Sequence, residues 1–148
     1  MLPFVGAFIL KRRTTYIANK GLIYSGGYSD RILVKEYTDS EDFIKTNVDG
    51  YPTRISLSIF DSHNIDLWCD DDGKSKFKMP SAFIASNDEI IDVIAGTIVF
   101  TKHDDKGATV SLTNKDIKYI KSCIVVYRLL SIEPYICAIF ICDRPQLT

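Results

Sequence analysis

The chain has 148 residues, of which 46% are hydrophobic and 25% charged, and its net charge is −1. At this length we expect one globular domain, residues 1–148, with a core that needs no disulfide or metal support. The charge balance excludes a basic nucleic-acid wrapper and an acidic DNA mimic, which need a lopsided charge, and the apolar content excludes disorder.

The residue types favour strands over helices. Ile occupies twenty positions and Ala only seven, while Tyr and Phe occupy eight each. Ile, Tyr and Phe suit the pleated surface of a sheet, whereas Ala is the strongest helix former. Composition therefore predicts a β-rich fold.

The first third of the chain predicts strands followed by one helix. Residues 4–10 and 15–18 are predicted strands, and residues 22–24 and 31–37 flank a glycine-containing hairpin tip at residues 25–27. Thr38, with Glu41 three positions later, predicts the start of a helix. Residues 54–60 then alternate between apolar and polar side chains, which is typical of a strand with one face in water.

Two hairpins and a helix are predicted in the middle of the chain. Residues 65–69 turn through an Asp-Asp-Asp-Gly tip into residues 75–79, and residues 97–103 turn through Asp-Asp-Lys-Gly into residues 108–113. Between the two hairpins, Ser86 with Glu89 predicts a helix that Gly96 ends.

The last third predicts one helix and two strands. Thr113 and Asp116 predict a helix over residues 114–122. Residues 123–132 and 135–142 are predicted as central strands. The expected fold class is α+β: a mainly antiparallel β-sheet built from hairpins, with two or three short helices packed on it.

Two further properties follow from the sequence. The apolar start of the chain has its charges after the apolar run, unlike a secretory signal, and the apolar stretch 123–142 is interrupted by charged residues and a proline. We therefore expect a soluble, cytoplasmic protein.

The four cysteines form no C-x-x-C pair, and Cys137 and Cys142 are expected on opposite faces of one strand, so four free thiols are predicted.

Histidines beside carboxylates define a candidate metal site. His63 and His103 are the only histidines, and acidic residues flank both. A divalent metal held by these groups lowers the pKa of a bound water and makes it a nucleophile. The candidate ligands of such a metal-dependent hydrolase are His63, Asp66, His103 and Asp104. The triple-Asp tip does not match an EF-hand calcium loop, because the first and twelfth positions of that register fall on Trp68 and Met79, and a solvated hairpin tip is the preferred interpretation.

Basic rows next to aromatic residues define a candidate site for phosphorylated ligands. Lys74, Lys76 and Lys78 alternate along the predicted strand 75–79 and its approach, and a lysine row contacts phosphates or discourages pairing at a sheet edge. A nucleotide or nucleic acid bound there would also stack on an aromatic ring. The candidate residues are Arg12, Arg13, Tyr28, Trp68, Lys76 and Lys78.

The sequence carries no catalytic or cofactor motif, so the first expectation is a non-enzymatic binding protein without a cofactor. Its Ile-rich strands and many aromatics supply apolar surface for a protein partner or for a second copy of the chain, as a homo-oligomer. A small phosphorylated ligand ranks second. DNA or RNA ranks third, because a net charge of −1 gives no long-range attraction to a polyanion. Compact chains of this kind occur among accessory proteins of phages and mobile elements, and we expect such an origin.

Overall fold

The computed structural model describes residues 18–128 and 136–143. The strand predicted at residues 4–10, nearly all of the one at 15–18 and residues 129–135 of the last predicted strands lie outside the described residues. The described part contains ten strands and three helices. In chain order they are β1 (Asn19–Tyr24), β2 (Ile32–Tyr37), α1 (Ser40–Val48), β3 (Pro52–Ile55), α2 (Ser58–Asp61), β4 (Ile65–Asp70), β5 (Pro80–Ser86), β6 (Glu89–Ala95), β7 (Ile98–His103), β8 (Thr109–Val110), α3 (Asn114–Ser122), β9 (Ile124–Arg128) and β10 (Cys137–Cys142).

The strands form two sheets. The first sheet has the order β2-β1-β7-β4-β3, with β8 added on β7, and all of its pairs are antiparallel. The second sheet has the order β6-β5-β10-β9, and its central pair, β5 with β10, is parallel. The predicted α+β class with a mostly antiparallel arrangement and few short helices is confirmed, but two sheets replace the single expected one.

One continuous core joins the two sheets. The first sheet contributes Leu22, Leu67 and Phe100, and the second contributes Ile84 and Ile139, all 1% exposed or less. Side chains from α2 and α3 complete the same cluster. Each sheet therefore has an inner face in this core and an outer face turned away from it.

Helix α1 covers part of the outer face of the first sheet. Phe43 and Val48 pack there against Ile23 and Val99, and the ring of Phe43 stacks on Tyr37 with centroids 4.2 Å apart. The capping residue is Asp39, one residue after the predicted cap, and its carboxylate accepts a hydrogen bond from the N–H of Asp42. The rest of the outer face of the first sheet extends beyond α1.

Several local predictions are confirmed. Strands β1 and β2 form the predicted hairpin, and β7 and β8 form the later one. Helix α3 spans the predicted residues and begins with a complete capping box between Thr113 and Asp116. None of the described helices is long and apolar enough to cross a membrane.

The helix predicted between Ser86 and Gly96 is wrong, because this segment is the second half of a β-hairpin. Strands β5 and β6 pair antiparallel around Asn87 and Asp88, whose φ angles are 52° and 65°. Two consecutive residues with positive φ are the geometry of a tight hairpin turn, and Asn and Asp tolerate it best after Gly. A bulge opposite Ala85 interrupts the regular alternation of inward and outward side chains along β6. The spacing of its isoleucines therefore resembles the apolar face of a helix.

The strand predicted at residues 75–79 is also wrong. Residues 71–77 form consecutive turns, with backbone bonds such as Lys76 N–H to Asp72 and Lys78 N–H to Gly73. Phe77 has a φ of 58° and is 93% exposed. Strand β4 pairs with β3 and β7 instead, and the turns carry the chain from the first sheet to the second.

Two other predicted strands differ in extent or position. The predicted strand 54–60 stops at Ile55, and α2 follows from Ser58. The carboxylate of Asp143 accepts hydrogen bonds from Ser58 Oγ at 3.0 Å and from the N–H of Ile59 at 3.1 Å, which caps this short helix. Strand β10 is central as predicted, but β9, like β6, lies at an edge of the sheet formed by the described strands.

Candidate functional site

Two lysines of the predicted row, Lys76 and Lys78, form ion pairs with a buried carboxylate, whereas Lys74 pairs with Asp92. Asp70, at the end of β4, is 4% exposed and accepts from Lys76 Nζ at 3.0 Å and Lys78 Nζ at 2.9 Å. The backbone N–H groups of Tyr51 and Asp72 donate to the same carboxylate. Burial raises the pKa of Asp70, but the hydrogen bonds from the two lysines and the two N–H groups outweigh it and hold the pKa far below its usual range.

These contacts give Asp70 a role that differs from that of Asp71 in the triple-Asp segment. Asp70 is an internal counter-ion, not part of a solvated tip, while Asp71 is exposed. Lys78 also donates to the carbonyl oxygens of Val48 and Asp49 at the end of α1. Both lysines therefore have an internal structural role.

The other candidate ligand residues are dispersed. Tyr28 is exposed in the connection between β1 and β2, whereas Trp68 lies on β4. Arg12 and Arg13 lie outside the described residues.

The four candidate metal ligands separate into one pair and two single residues. His103 Nδ1 lies 2.9 Å from Asp66 Oδ2, so β7 and β4 bring these two together. His63 instead stacks on Tyr119, with ring centroids 3.8 Å apart, and the Asp104 carboxylate accepts from N–H groups of its own turn. Within residues 18–128 and 136–143, no group of three or more His, Cys, Asp or Glu side chains is placed to hold a metal.

The Asp66–His103 pair lies in a cavity that we call the Trp68 groove. It occupies the outer face of the first sheet beside α1 and has a volume of about 560 Å³. Its polar and aromatic lining consists of Arg54, Asp61, Asp66, Trp68, His103 and Thr109. Trp68 and Thr109 also line a neighbouring cavity of about 480 Å³ that extends along α1 toward Tyr51.

Strand register explains why these side chains meet. Arg54 and Trp68 are directly opposite on β3 and β4, as are His103 and Thr109 on β7 and β8. Because alternate residues of a strand share a face, Asp66 lies on the same face as Trp68. Residue type alone indicates Trp68, Asp66 and His103 as separate candidates, but Arg54 and Thr109 have no signal beyond their polar place in an alternating pattern.

Ion pairs hold the polar end of the groove in place. Arg54 Nη1 lies 3.3 Å from Asp61 Oδ1 and 3.4 Å from Asp66 Oδ1. Ser56 Oγ donates to the other oxygen of Asp61. Trp68 Nε1 donates to Thr101 Oγ1 at 2.9 Å, which orients the indole.

A second surface of interest is the outer face of the second sheet. Val93, Phe83, Phe140 and Val125 are in register across all four strands and form one apolar row. The rings of Phe83 and Phe140 stack at 5.0 Å, and Tyr127 contacts Phe140 edge-on at the same centroid distance. The apolar character of β10 is evident from its own residues, but this row is not, because the sequence of β6 predicts a helix.

Comparison with known proteins gave one match. A family model described as a domain of unknown function (DUF3846) matches residues 22–124, more than half of the chain. Searches of curated proteins and of solved structures found no match. The matched span includes every described residue that lines the Trp68 groove and ends at the first residue of β9.

Proposed function

The chain belongs to the family of the domain of unknown function DUF3846, and we propose that it is a non-enzymatic binding protein that associates with a second copy of itself. The contact surface is the outer face of the second sheet. The apolar row across its four strands is the observation that carries this proposal.

The row is unusual for a surface because it is both aromatic and uncharged. Val125 is 52% exposed and Tyr127 50% exposed on β9, and Ile90 on β6 is 56% exposed. Between them lie the half-buried rings of Phe83 and Phe140. Contiguous apolar surface of this kind marks association sites, and Tyr and Phe are enriched in interfaces.

The absence of charge along the row favours a second copy as the occupant. In a twofold dimer the same patch meets itself, so any charge near the axis faces its own sign. Val93, Phe83, Phe140 and Val125 carry none, so the row can meet itself without electrostatic cost, and the charged Arg128 lies at the end of β9 beside it. A patch selected for a partner of opposite charge would carry charges of its own.

The size of the row sets the expected strength of the dimer. Four strands about 4.8 Å apart, each about five residues long at 3.3 Å per residue, give the outer face around the row an area of roughly 300 Å². A standard interface buries roughly 800 Å² on each partner. The row is therefore the centre of a modest interface, and we expect reversible dimerisation with a Kd in roughly the micromolar range.

Sedimentation equilibrium tests this proposal. The expected mass rises from 16.7 kDa toward that of a dimer as the protein concentration increases. Val125→Lys places a charge in the row and should leave a monomer, because dimerisation would then bury two like charges. Tyr127→Lys provides a second substitution beside the row, at the ring that contacts Phe140.

Val34→Lys is the matched control. Val34 is 45% exposed on β2, in the first sheet, and should dimerise like the parent protein. Circular dichroism establishes that all variants are folded. A parent protein that stays monomeric throughout, or a Val34→Lys variant that loses dimerisation while Val125→Lys keeps it, contradicts the proposal.

A further inference from the structure

We propose that the Trp68 groove binds the base of a guanine nucleoside or nucleotide. The groove lies on the first sheet and the self-association surface on the second, so this site is separate from the proposed dimer contact. The proposal rests on the shape of the groove, its charge balance and the hydrogen-bonding groups that its side chains leave available.

The groove is an open depression that is large enough to hold a base. Its volume of about 560 Å³ falls within the range of roughly 300–1,000 Å³ for ligand pockets. Strands β4 and β7 hold Asp66, which is 6% exposed, and its partner His103 in a rigid floor. Sites on paired strands keep their geometry better than sites on loops.

The charge balance argues against a ligand that is recognised only as an ion. A phosphate group at the polar end would meet the carboxylates of Asp61 and Asp66. An organic cation would meet the guanidinium of Arg54. A neutral group whose edge carries both donors and acceptors matches all three side chains.

The hydrogen-bonding groups that remain available in the groove favour the edge of a guanine base. Both ion pairs of Arg54 are made through Nη1, so the other N–H groups of its guanidinium take no part in them. Guanine presents two adjacent acceptors, O6 and N7, to which arginine binds bidentately. Each carboxylate oxygen of Asp61 and Asp66 already has one partner, and its second lone pair can accept from an N–H donor of guanine. Adenine presents a donor where guanine has O6.

Trp68 supplies a surface for the flat side of the base. Its indole lines both cavities and is oriented by the hydrogen bond to Thr101. Bases stack on aromatic side chains, and such stacking tolerates a ribose or phosphate extending outside the site. The second cavity along α1 leaves space for that extension.

The position of Trp68 also provides a direct measurement, because it is the only tryptophan of the chain. Titration with guanosine, excited where the base does not absorb, should quench Trp68 fluorescence in a saturable way. Adenosine should bind at least roughly tenfold more weakly, the discrimination that one bidentate contact provides. Equilibrium dialysis with labelled guanosine measures the same affinity without using fluorescence.

Arg54→Gln tests the bidentate contact. Arg54 is partly exposed, so its loss should leave the fold intact, and guanosine affinity should fall by roughly tenfold. Arg31→Gln is the matched control, since Arg31 is exposed in the β1–β2 connection, and it should bind like the parent.

Three results would overturn the assignment: no saturable binding of guanosine by either method, equal binding of adenosine, or an Arg54→Gln variant with parental affinity. Val125→Lys separates this proposal from the previous one. That variant should be monomeric and still bind guanosine, so failure of either proposal leaves the result of the other intact.

Discussion

Asp70 ties the connection between the two sheets to the first sheet. Its carboxylate accepts from Lys76 and Lys78, which lie in that connection, and from the N–H of Tyr51 before β3. Gly50 is required beside it, because a Cβ at that position would lie 2.3 Å from the carboxyl carbon of Asp70. A charge with this many partners is costly to neutralise, since the lysines then lose their counter-ion.

Asp70→Asn should lower the free energy of unfolding by about 3 kcal/mol at neutral pH, as loss of one partner of a buried ion pair does. The pKa of Asp70 is lowered in the folded protein, so its stabilising contribution is present above the unfolded-state value of about 3.9 and is lost as pH falls toward the folded-state value. Urea unfolding of parent and variant at several pH values measures both effects.

The difference between the two proteins should shrink as the pH decreases below about 4. Asp71→Asn, at an exposed neighbour, is the control and should stay close to the parent at every pH. A parental midpoint for Asp70→Asn at neutral pH would show that the two lysines are not held by this carboxylate.

The four cysteines are free and differ in accessibility. Cys142 is exposed, whereas Cys69 and Cys137 are buried. Burial, with the negative charges of Asp70, Asp71 and Asp92 adding to it, raises the pKa of the Cys69 thiol to about 11. Little Cys69 thiolate therefore exists near neutral pH, and the thiolate is the reactive form.

In the native protein, a thiol reagent should modify Cys142 first and leave Cys69 and Cys137 unmodified. All four should react after denaturation without reductant. Peptide mapping after brief labelling identifies the modified positions. Rapid labelling of Cys69 under native conditions would place it at the surface, contrary to this arrangement.

The β5–β6 hairpin is the element where local sequence is most ambiguous. Its turn residues Asn87 and Asp88 both have positive φ, which suits a hairpin and not a helix. The same residues follow a serine with a glutamate three positions later, the pattern of a helix start. Pairing with β5 across six registered positions decides the outcome in favour of the strand.

Two substitutions of Asp88 distinguish a hairpin turn from a helix, because the two structures predict opposite orders of stability for the variants. Asp88→Ala should cost about 1 kcal/mol, because Ala in the left-handed region is strained, while Asp88→Gly should match or exceed the parent. In a helix the order would be reversed, since Gly is less favourable than Ala by about 1 kcal/mol. Thermal unfolding of the two variants side by side gives this order.

The two sheets share one core, so the described part of the chain should unfold as a unit. Ile139, fully buried on β10 in the second sheet, belongs to the same cluster as Leu67 and Phe100 in the first. A single cluster of buried side chains predicts one cooperative transition.

Ile139→Ala should lower the free energy of unfolding by about 2–5 kcal/mol, the cost of a large-to-small substitution in a core. Trp68 fluorescence reports the first sheet, and its midpoint should fall together with that of the far-ultraviolet circular dichroism. A Trp68 midpoint that stays at the parental value while the dichroism changes would mean that the sheets unfold separately.

Features that depend only on residues close together along the chain could be predicted from the sequence. The capping box of Thr113 and Asp116 and the β1–β2 hairpin each involve signals within a few positions. The apolar character of β10 likewise followed from its own residues. Local hydrogen bonds and turn preferences act over such short separations in any context, so a single sequence is sufficient to predict them.

Features that join distant residues required the folded chain. The cap of α2 comes from Asp143, 85 positions after Ser58, and His103 meets Asp66 across 37 positions. The apolar row and the Trp68 groove depend on which strands become neighbours, and alternation along one strand carries no information about its partner. Strand pairing and sheet packing are decided by burial of the shared core, a property of the whole chain, and both candidate surfaces are consequences of that packing.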